Sequence, residues 1–119
     1  MSKGIHYIIN AYDCKNNLDN VDSIKNLLID LVKMLGMNKL SEPYVVFHNA
    51  ENKINSGVTG IILLSESHIS VHTFSNRNEV YMDIFSCKPY DVSLVKNKVY
   101  EFFSIGKSEE TIIERGEIL

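Results

Sequence analysis

The sequence predicts an α+β fold: a two-layer α/β sandwich in which two helices cover one face of an antiparallel sheet. Two segments repeat apolar residues at helical spacing, and four strand-like segments follow one another between them. The predicted element order is therefore β-α-β-β-β-β-α-β, which lacks the strand–helix alternation of a parallel sheet. The second sheet face is then either polar or covered by another subunit.

Length and composition indicate one globular domain. The chain has 119 residues, of which 45% are hydrophobic and 23% are charged, and its formal net charge is -3. Because a chain of this size can bury a core without covalent staples, residues 1–119 are predicted to form a single domain. No basic cluster stands out, which argues against nucleic acid as a partner.

The two cysteines limit the kinds of site and the cellular compartment that can be expected. Cys14 and Cys87 lie far apart, without the paired spacing of a zinc ribbon or a disulfide framework, so no metal site is predicted. Two free thiols are typical of a reducing compartment. The N-terminal apolar run is too short for a signal peptide, and no stretch approaches a membrane span. A soluble cytoplasmic protein without a membrane partner is therefore expected.

Six segments are predicted to be strands, because β-branched and aromatic residues predominate in them and often alternate with polar residues. They are residues 4–12, 43–48, 57–64, 69–74, 80–86 and 111–118. Polar stretches separate them, and the turns at 65–68 and 75–78 are predicted to join consecutive strands.

Two segments, 22–35 and 91–103, are predicted to be helices from apolar residues at 3.6-residue spacing. Polar residues before each segment can cap its start, and a glycine after it can end it in a left-handed conformation. The candidates are Asp19 or Asn20 and Gly36 for the first helix, and Asp91 and Gly106 for the second.

Side chains capable of acyl and proton-transfer chemistry concentrate in residues 57–87. Ser67 lies in a predicted turn, where a strained peptide bond can face a hydroxyl, and His72 on the next strand can fold back toward it. Serines in turns and hydrogen-bonded histidines on strands are also common structural features. Cys87 is equally open to two interpretations, a small buried hydrophobe or a reactive thiol.

Three motifs in this segment form a specific pattern: GVTG at 57–60, LSESHISVHT at 64–73 and DIFSC at 83–87. They resemble the processing and active-site region of the small bacterial and archaeal S-adenosylmethionine decarboxylase proenzymes. The resemblance covers nearly the whole chain in element order and includes the closing Glu114-Arg115-Gly116. A histidine five residues past the second serine and a cysteine twenty past it make a chance match improbable.

The resemblance implies a cofactor made from the chain itself. Ser67 would attack the carbonyl of Glu66, and elimination would then split the chain into a β chain, 1–66, and an α chain, 67–119. Ser67 would become a pyruvoyl group, which forms a Schiff base with a substrate amine and accepts electrons when carbon dioxide leaves. The remaining implied roles are proton removal in processing for His72, support of the intermediate for Thr59, and protonation of the product for Cys87.

The resemblance further implies a homodimer of processed protomers that decarboxylates S-adenosylmethionine in polyamine and spermidine biosynthesis. The substrate-recognition loop departs from the family's common Trp-Pro-Glu, because this chain has Phe74, Ser75 and Asn76. Asn76 replaces a glutamate that contacts the ribose, and Glu79 substitutes for it only if the loop shifts. The expected substrate-binding residues are Phe47, Phe74, Asn76 and Glu79.

Other functions remain open at this point. Since the departures touch nucleoside recognition, one alternative is the same chemistry on ornithine or arginine, with Glu79 or Asp83 pairing with the distal cation. A lesser alternative is an unprocessed, non-catalytic binding domain. A serine or cysteine hydrolase using His72 is disfavoured, because the G-x-S-x-G nucleophile elbow is absent.

Overall fold

A computed structural model describes residues 3–116, which form one six-stranded antiparallel sheet with two helices packed on it. The strands are β1 (Gly4–Tyr12), β2 (Tyr44–His48), β3 (Gly57–Leu63), β4 (Ser67–Phe74), β5 (Glu79–Ser86) and β6 (Lys107–Arg115). The helices are α1 (Val21–Met34) and α2 (Val92–Phe103), and a short 3-10 helix spans Lys53–Asn55. The strand order across the sheet is β2-β3-β4-β5-β1-β6. The predicted α+β sandwich and its element order are confirmed.

Two strand starts, those of β4 and β6, differ by more than one residue from the sequence prediction. β4 begins at Ser67, so the turn after β3 contains only Ser65 and Glu66, and the predicted turn at 65–68 was too long. The backbone N–H of Leu64 donates to the carbonyl of Ser67 at 2.9 Å and closes this tight turn. The start of β4 was missed because Ser67 and His68 are polar, whereas a strand is held by hydrogen bonds of the backbone.

β6 begins four residues before the predicted start, at Lys107. Its charged residues do not look strand-like, yet the whole strand pairs with β1 at the sheet edge, where charged side chains are exposed. Ile118, the end of the predicted strand, lies outside the described residues.

Helix α1 begins and ends as its sequence predicts. The side chain of Asn20 accepts a hydrogen bond from the backbone N–H of Ser23 at 2.9 Å. Gly36 adopts a left-handed conformation with φ 66, and Met37 N–H donates back to the carbonyl of Val32 at 3.0 Å. The loop after α1 is therefore fixed to the helix.

Helix α2 is capped by Asp91, whose carboxylate accepts from the backbone N–H of Ser93 at 2.9 Å. The left-handed residue at its end is Ser104, with φ 49, and not the predicted Gly106. Gly106 instead lies so close to Asp13 that an added Cβ would come within 2.7 Å of its side chain. Neither helix in residues 3–116 is long and apolar enough to cross a membrane.

One face of the sheet is buried under the helices. Its core is formed by alternate strand residues and by the apolar helix faces. Fully buried members include Tyr7, Ile9, Val58, Ile62, Ile69, Val71 and Ile84 from the strands and Ile24, Leu28, Leu31, Val95, Val99 and Phe103 from the helices. The intervening strand residues form the opposite face, here called the open face, which no helix of residues 3–116 covers.

The start of β3 is held against the end of β4 by a close backbone approach. A Cβ added to Gly57 would lie 1.8 Å from the carbonyl oxygen of Thr73. The buried Thr73 hydroxyl accepts from the backbone N–H of Val58 at 2.8 Å. This contact fixes the register in which Thr59 pairs with His72.

We expect Gly57→Ala to lower the free energy of unfolding by more than about 2 kcal/mol, because the new Cβ meets a backbone carbonyl that cannot move aside. Gly60→Ala is the matched control on the same strand, since its Cβ would meet a Val45 methyl at 2.9 Å. Urea unfolding followed by circular dichroism measures both. An equal loss for the two variants would contradict the proposed role of the Gly57 contact.

Candidate active site

The register of the β4–β5 hairpin places Cys87 beside the turn that precedes β4. Ser67 pairs with Ser86 at the end of the hairpin, so the next residue, Cys87, lies opposite Glu66. The Cys87 Sγ is 3.8 Å from the Ser67 Oγ. Ser67 and Cys87 are twenty residues apart in the sequence, yet they are in contact, because the turn at 75–78 lies midway between them.

The peptide bond between Glu66 and Ser67 is flanked by a nucleophile and by a hydrogen-bond donor. The Ser67 hydroxyl contacts the carbonyl oxygen of Glu66. The same oxygen accepts from the backbone N–H of Cys87 at 3.2 Å. A fixed N–H aimed at a carbonyl oxygen stabilises the negative charge that develops when the carbonyl carbon is attacked. The Glu66 carbonyl therefore has both a hydroxyl and a polarising N–H beside it.

The side chain of Glu66 is bound by Asn38, a residue that sequence analysis missed. The backbone N–H of Asn38 donates to Glu66 Oε1 at 3.2 Å, and its Nδ2 donates to Oε2 at 3.2 Å. These bonds, led by the backbone N–H, hold the pKa of Glu66 below its usual range, and the Lys88 ammonium acts in the same direction. No motif signals this contact, because Asn38 lies in a different loop, directly after the turn that ends α1.

Thr59 and His72 form a second group, on the open face. They are cross-strand partners of β3 and β4, and Thr59 Oγ1 lies 3.3 Å from His72 Nδ1. β4 is paired regularly with β5 from Ser67 to Phe74, so five residues separate Ser67 and His72 by about 17 Å. The prediction that His72 folds back on the turn is wrong within one protomer, because the regular strand leaves no bend between them.

Two of the predicted substrate-binding residues, Phe74 and Glu79, lie together at the far end of β4. The Arg77 guanidinium carbon is 4.0 Å from the centre of the Phe74 ring, and Arg77 Nε donates to the Glu79 carboxylate at 3.0 Å. Tyr81 OH donates to the same carboxylate at 2.9 Å and its ring lies 5.7 Å from that of Phe74. Arg77 and Tyr81 thus complete a cluster, the Phe74–Tyr81 cage, that the sequence did not reveal.

The other two predicted substrate-binding residues lie apart from this cage. Asn76 Nδ2 donates to the Lys53 carbonyl at 2.7 Å, a contact that ties the turn to the 3-10 helix. Phe47 pairs in register with the buried Val58, so it leaves β2 on the helix-covered side of the sheet. The structure therefore does not bring Phe47 to the face that carries Thr59.

A further polar pair lies on the open face near Cys87. His6 Nε2 is 2.9 Å from Asp83 Oδ1, so the carboxylate expected to bind a substrate cation already has a hydrogen-bond partner within the chain. The Phe85 ring lies 6.2 Å from His6, and the Arg115 guanidinium carbon lies 4.4 Å from the centre of that ring. Among residues 3–116, no three His, Cys, Asp or Glu side chains are placed to hold a metal ion.

Comparison with known proteins decides the family. A family model described as S-adenosylmethionine decarboxylase matches residues 5–116. The chain belongs to this family. It is 33% identical over 120 residues to the S-adenosylmethionine decarboxylase proenzyme of Methanococcus maripaludis strain C5, covering 97% of this chain and 91% of the relative.

Two further similarities agree with this family. The S-adenosylmethionine decarboxylase proenzyme of Persephonella marina is 28% identical over 117 residues, covering 97% of this chain and 84% of the relative. The crystal structure of the adenosylmethionine decarboxylase from Aquifex aeolicus shares the fold, with a TM-score of 0.81, 24% identity, and coverage of 99% of this chain and 94% of that one. The predicted family and enzyme class, a carboxy-lyase, are confirmed.

The two thiols of this family member differ sharply in environment. Cys14 is fully buried, and burial is the main reason that its pKa rises to about 11. Cys87 is exposed and lies against Ser67. Only Cys87 therefore has the access that a proton-donating or nucleophilic thiol requires.

We expect iodoacetamide at pH 8 to label the native chain once, at Cys87, and to label Cys14 only after unfolding. Burial and the raised pKa both keep the Cys14 thiolate out of reach of the reagent. Peptide mass mapping with and without denaturant provides the measurement, and a Cys87→Ser chain provides the control. Labelling of Cys14 in the native control would contradict the buried environment.

Proposed function

We propose that the chain is a proenzyme that cuts itself between Glu66 and Ser67, and that the processed enzyme decarboxylates S-adenosylmethionine in polyamine biosynthesis. The main observation behind this proposal is that the Ser67 hydroxyl contacts the Glu66 carbonyl, with the Cys87 Sγ 3.8 Å from that hydroxyl. The two unpaired thiols favour the cytoplasm as its location.

Self-cleavage begins with an acyl shift. Ser67 Oγ bonds to the carbonyl carbon of Glu66, the carbon–nitrogen bond breaks, and an ester and a free Ser67 amine result. Loss of the Ser67 α-proton then breaks the Cβ–Oγ bond and releases the Glu66 carboxylate. The remaining enamine becomes an imine, and water replaces its nitrogen, releasing ammonia. The products are residues 1–66 and a chain, 67–119, that begins with a pyruvoyl group.

The residues around position 67 fit such a group. It supplies an electron sink, conjugated with the adjacent amide, for the electrons left when a bound substrate loses carbon dioxide. Position 67 stays fixed after the cut, because it opens β4 and pairs with Ser86. Cys87 keeps a proton close to this position and delivers it to the substrate carbon after carbon dioxide has left.

We expect Ser67→Ala to abolish cleavage, because no hydroxyl remains to attack Glu66. Cys87→Ala should still be cut but should lose at least about tenfold in kcat, since water replaces a positioned acid. Intact-mass spectrometry of the purified chains and assays of released carbon dioxide provide the measurements. A wild-type chain that stays whole, without a pyruvoyl-blocked fragment, would favour the non-catalytic binding domain instead.

We also propose that a homodimer completes the site. Thr59 and His72 lie about 17 Å from Ser67 in one protomer, too far for His72 to take the Ser67 α-proton. They share the open face with exposed apolar residues, including Ile61 and Leu63. Packing two open faces about a two-fold axis lets the Thr59–His72 pair of one copy meet the Ser67 end of the other.

The homodimer predicts complementation between two inactive variants. His72→Ala chains keep Ser67, and Ser67→Ala chains keep His72, so a mixed dimer holds one complete site. We expect each variant alone to stay uncut, and the His72→Ala chain to be cut once the two are co-refolded. Mass spectrometry identifies which chain is cleaved. Cleavage of His72→Ala alone would rule out a required transfer of the Ser67 α-proton to His72.

One observation favours the second candidate substrate class, the basic amino acids. The Phe74–Tyr81 cage already binds a guanidinium, that of Arg77, between an aromatic ring and the Glu79 carboxylate. The same side chains would suit the distal cation of arginine or ornithine if the Arg77 guanidinium moved out of the cage. Meanwhile Asn76, at the ribose-contact position, is bonded to the Lys53 carbonyl.

A substrate panel separates the two candidates. The processed enzyme is incubated with carboxyl-labelled S-adenosylmethionine, ornithine or arginine, and the released carbon dioxide is counted. We expect S-adenosylmethionine to be the preferred substrate by kcat/KM. Preference for arginine or ornithine, lost in Glu79→Gln, would assign the cage to a basic amino acid, and an uncut Ser67→Ala sample controls for background.

A further inference from the structure

We propose that Asn38 is a positioning residue for self-cleavage, which holds Glu66 so that its carbonyl stays in the path of the Ser67 hydroxyl. This inference rests on the proposed self-cleavage and adds to it a residue outside the three motifs. Asn38 has no hydrogen bond to Ser67 or Cys87, and its hydrogen bonds to the processing turn reach Ser65 and Glu66.

Three hydrogen bonds join Asn38 to the processing turn. Its backbone N–H and its Nδ2 each bind one oxygen of the Glu66 carboxylate, both at 3.2 Å. Its carbonyl accepts from the backbone N–H of Ser65 at 2.8 Å. On the other side, the N–H of Cys87 binds the Glu66 carbonyl at 3.2 Å. Glu66 is therefore held at its side chain and at its carbonyl at once.

Asn38 is itself held on both sides. The preceding residue, Met37, is buried and its N–H is bonded to the last turn of α1 at Val32. The following residue, Lys39, forms a bridge with Leu64, one residue before the turn. The hydrogen bonds from Asn38 to Glu66 therefore come from a loop that is itself fixed to α1 and to the end of β3.

Lys88 adds charge to the same place. Its ammonium donates to the carbonyl of Gly36 at 2.7 Å, at the carboxyl end of α1, and it acts electrostatically on the Glu66 carboxylate. The carboxylate thus faces two N–H donors from Asn38 and one nearby cation. An apolar side chain at position 66 would lose these hydrogen bonds and this electrostatic attraction.

The acyl shift explains why the anchor affects rate. The Glu66 acyl group is the part that changes partner, from the nitrogen of Ser67 to its oxygen. Because Ser65 is exposed and Glu66 is only half-buried, an acyl group without this anchor would sample more orientations in which the hydroxyl misses the carbonyl carbon. Holding it in a near-attack geometry lowers the entropic part of the barrier.

The first test removes the amide. We expect Asn38→Ala to slow the conversion of freshly refolded proenzyme into two chains by about tenfold, the loss typical of a hydrogen bond to a charged group. Asn26→Ala, on the exposed side of α1, is the matched control and should cleave at the wild-type rate. Gel densitometry or intact mass gives the time course, and urea unfolding of each variant on a Ser67→Ala background gives the stability.

The second test separates positioning from a purely structural role. Asn38→Asp places a carboxylate against the Glu66 carboxylate and should cleave more slowly than Asn38→Ala. The double variant Asn38→Asp/Glu66→Gln should be cleaved at least about fivefold faster than Asn38→Asp, because the new amide can donate to the aspartate. Loss of stability alone predicts no such rescue.

The outcomes distinguish failure of the self-cleavage hypothesis from failure of the proposed role of Asn38. An uncut wild-type chain overturns self-cleavage and the role of Asn38 with it. A wild-type chain that is cut, together with Asn38→Ala cut at the same rate, overturns the role of Asn38 alone. If Asn38→Ala does not fold, the rates of Asn38→Asp and its Glu66→Gln double variant decide, and absence of rescue overturns the proposal.

Discussion

The register of β4 against its two neighbours is the constraint on which the rest of the site depends. Against β5 it sets Ser67 opposite Ser86, and so Glu66 opposite Cys87; against β3 it sets Thr59 opposite His72. Because side chains alternate between faces, a slip of one residue would send His72 into the core and Ile69 to the open face. The Gly57–Thr73 approach and the tight turn at Ser65 and Glu66 secure that register at opposite ends of the hairpin.

The same register divides the chemistry between two places. Nucleophile, target carbonyl and thiol meet at one end of β4, while the hydroxyl–imidazole pair and the Phe74–Tyr81 cage lie farther along the strand. A straight strand cannot bring these groups together by folding, so the distance between them is itself an argument for a second copy of the chain. In the proposed homodimer, the open face with its exposed apolar side chains would be the contact surface.

Much of the fold could be predicted because its signals are local. The spacing of apolar residues in α1 and the Asn20 and Gly36 termini depend on neighbouring residues only, and the structure confirms them. The charged strand β6 and the early start of β4 could not be predicted, since their stability comes from pairing with distant strands. In the site, the serine and the cysteine were recognisable by motif. Asn38 and Arg77 were not, because only the tertiary fold brings them to Glu66 and Phe74.

The strand order has a consequence for the proposed cut between Glu66 and Ser67. The fragment 1–66 contributes β1, β2 and β3, and the fragment 67–119 contributes β4, β5 and β6. β1 lies between β5 and β6, so the first fragment is threaded into the sheet of the second. Three strand–strand ladders, β3–β4, β5–β1 and β1–β6, therefore join the two pieces without a covalent bond. A break after Glu66 would create two new chain ends but leave the two pieces paired through these ladders. The molecule can therefore lose this peptide bond and remain a single folded body.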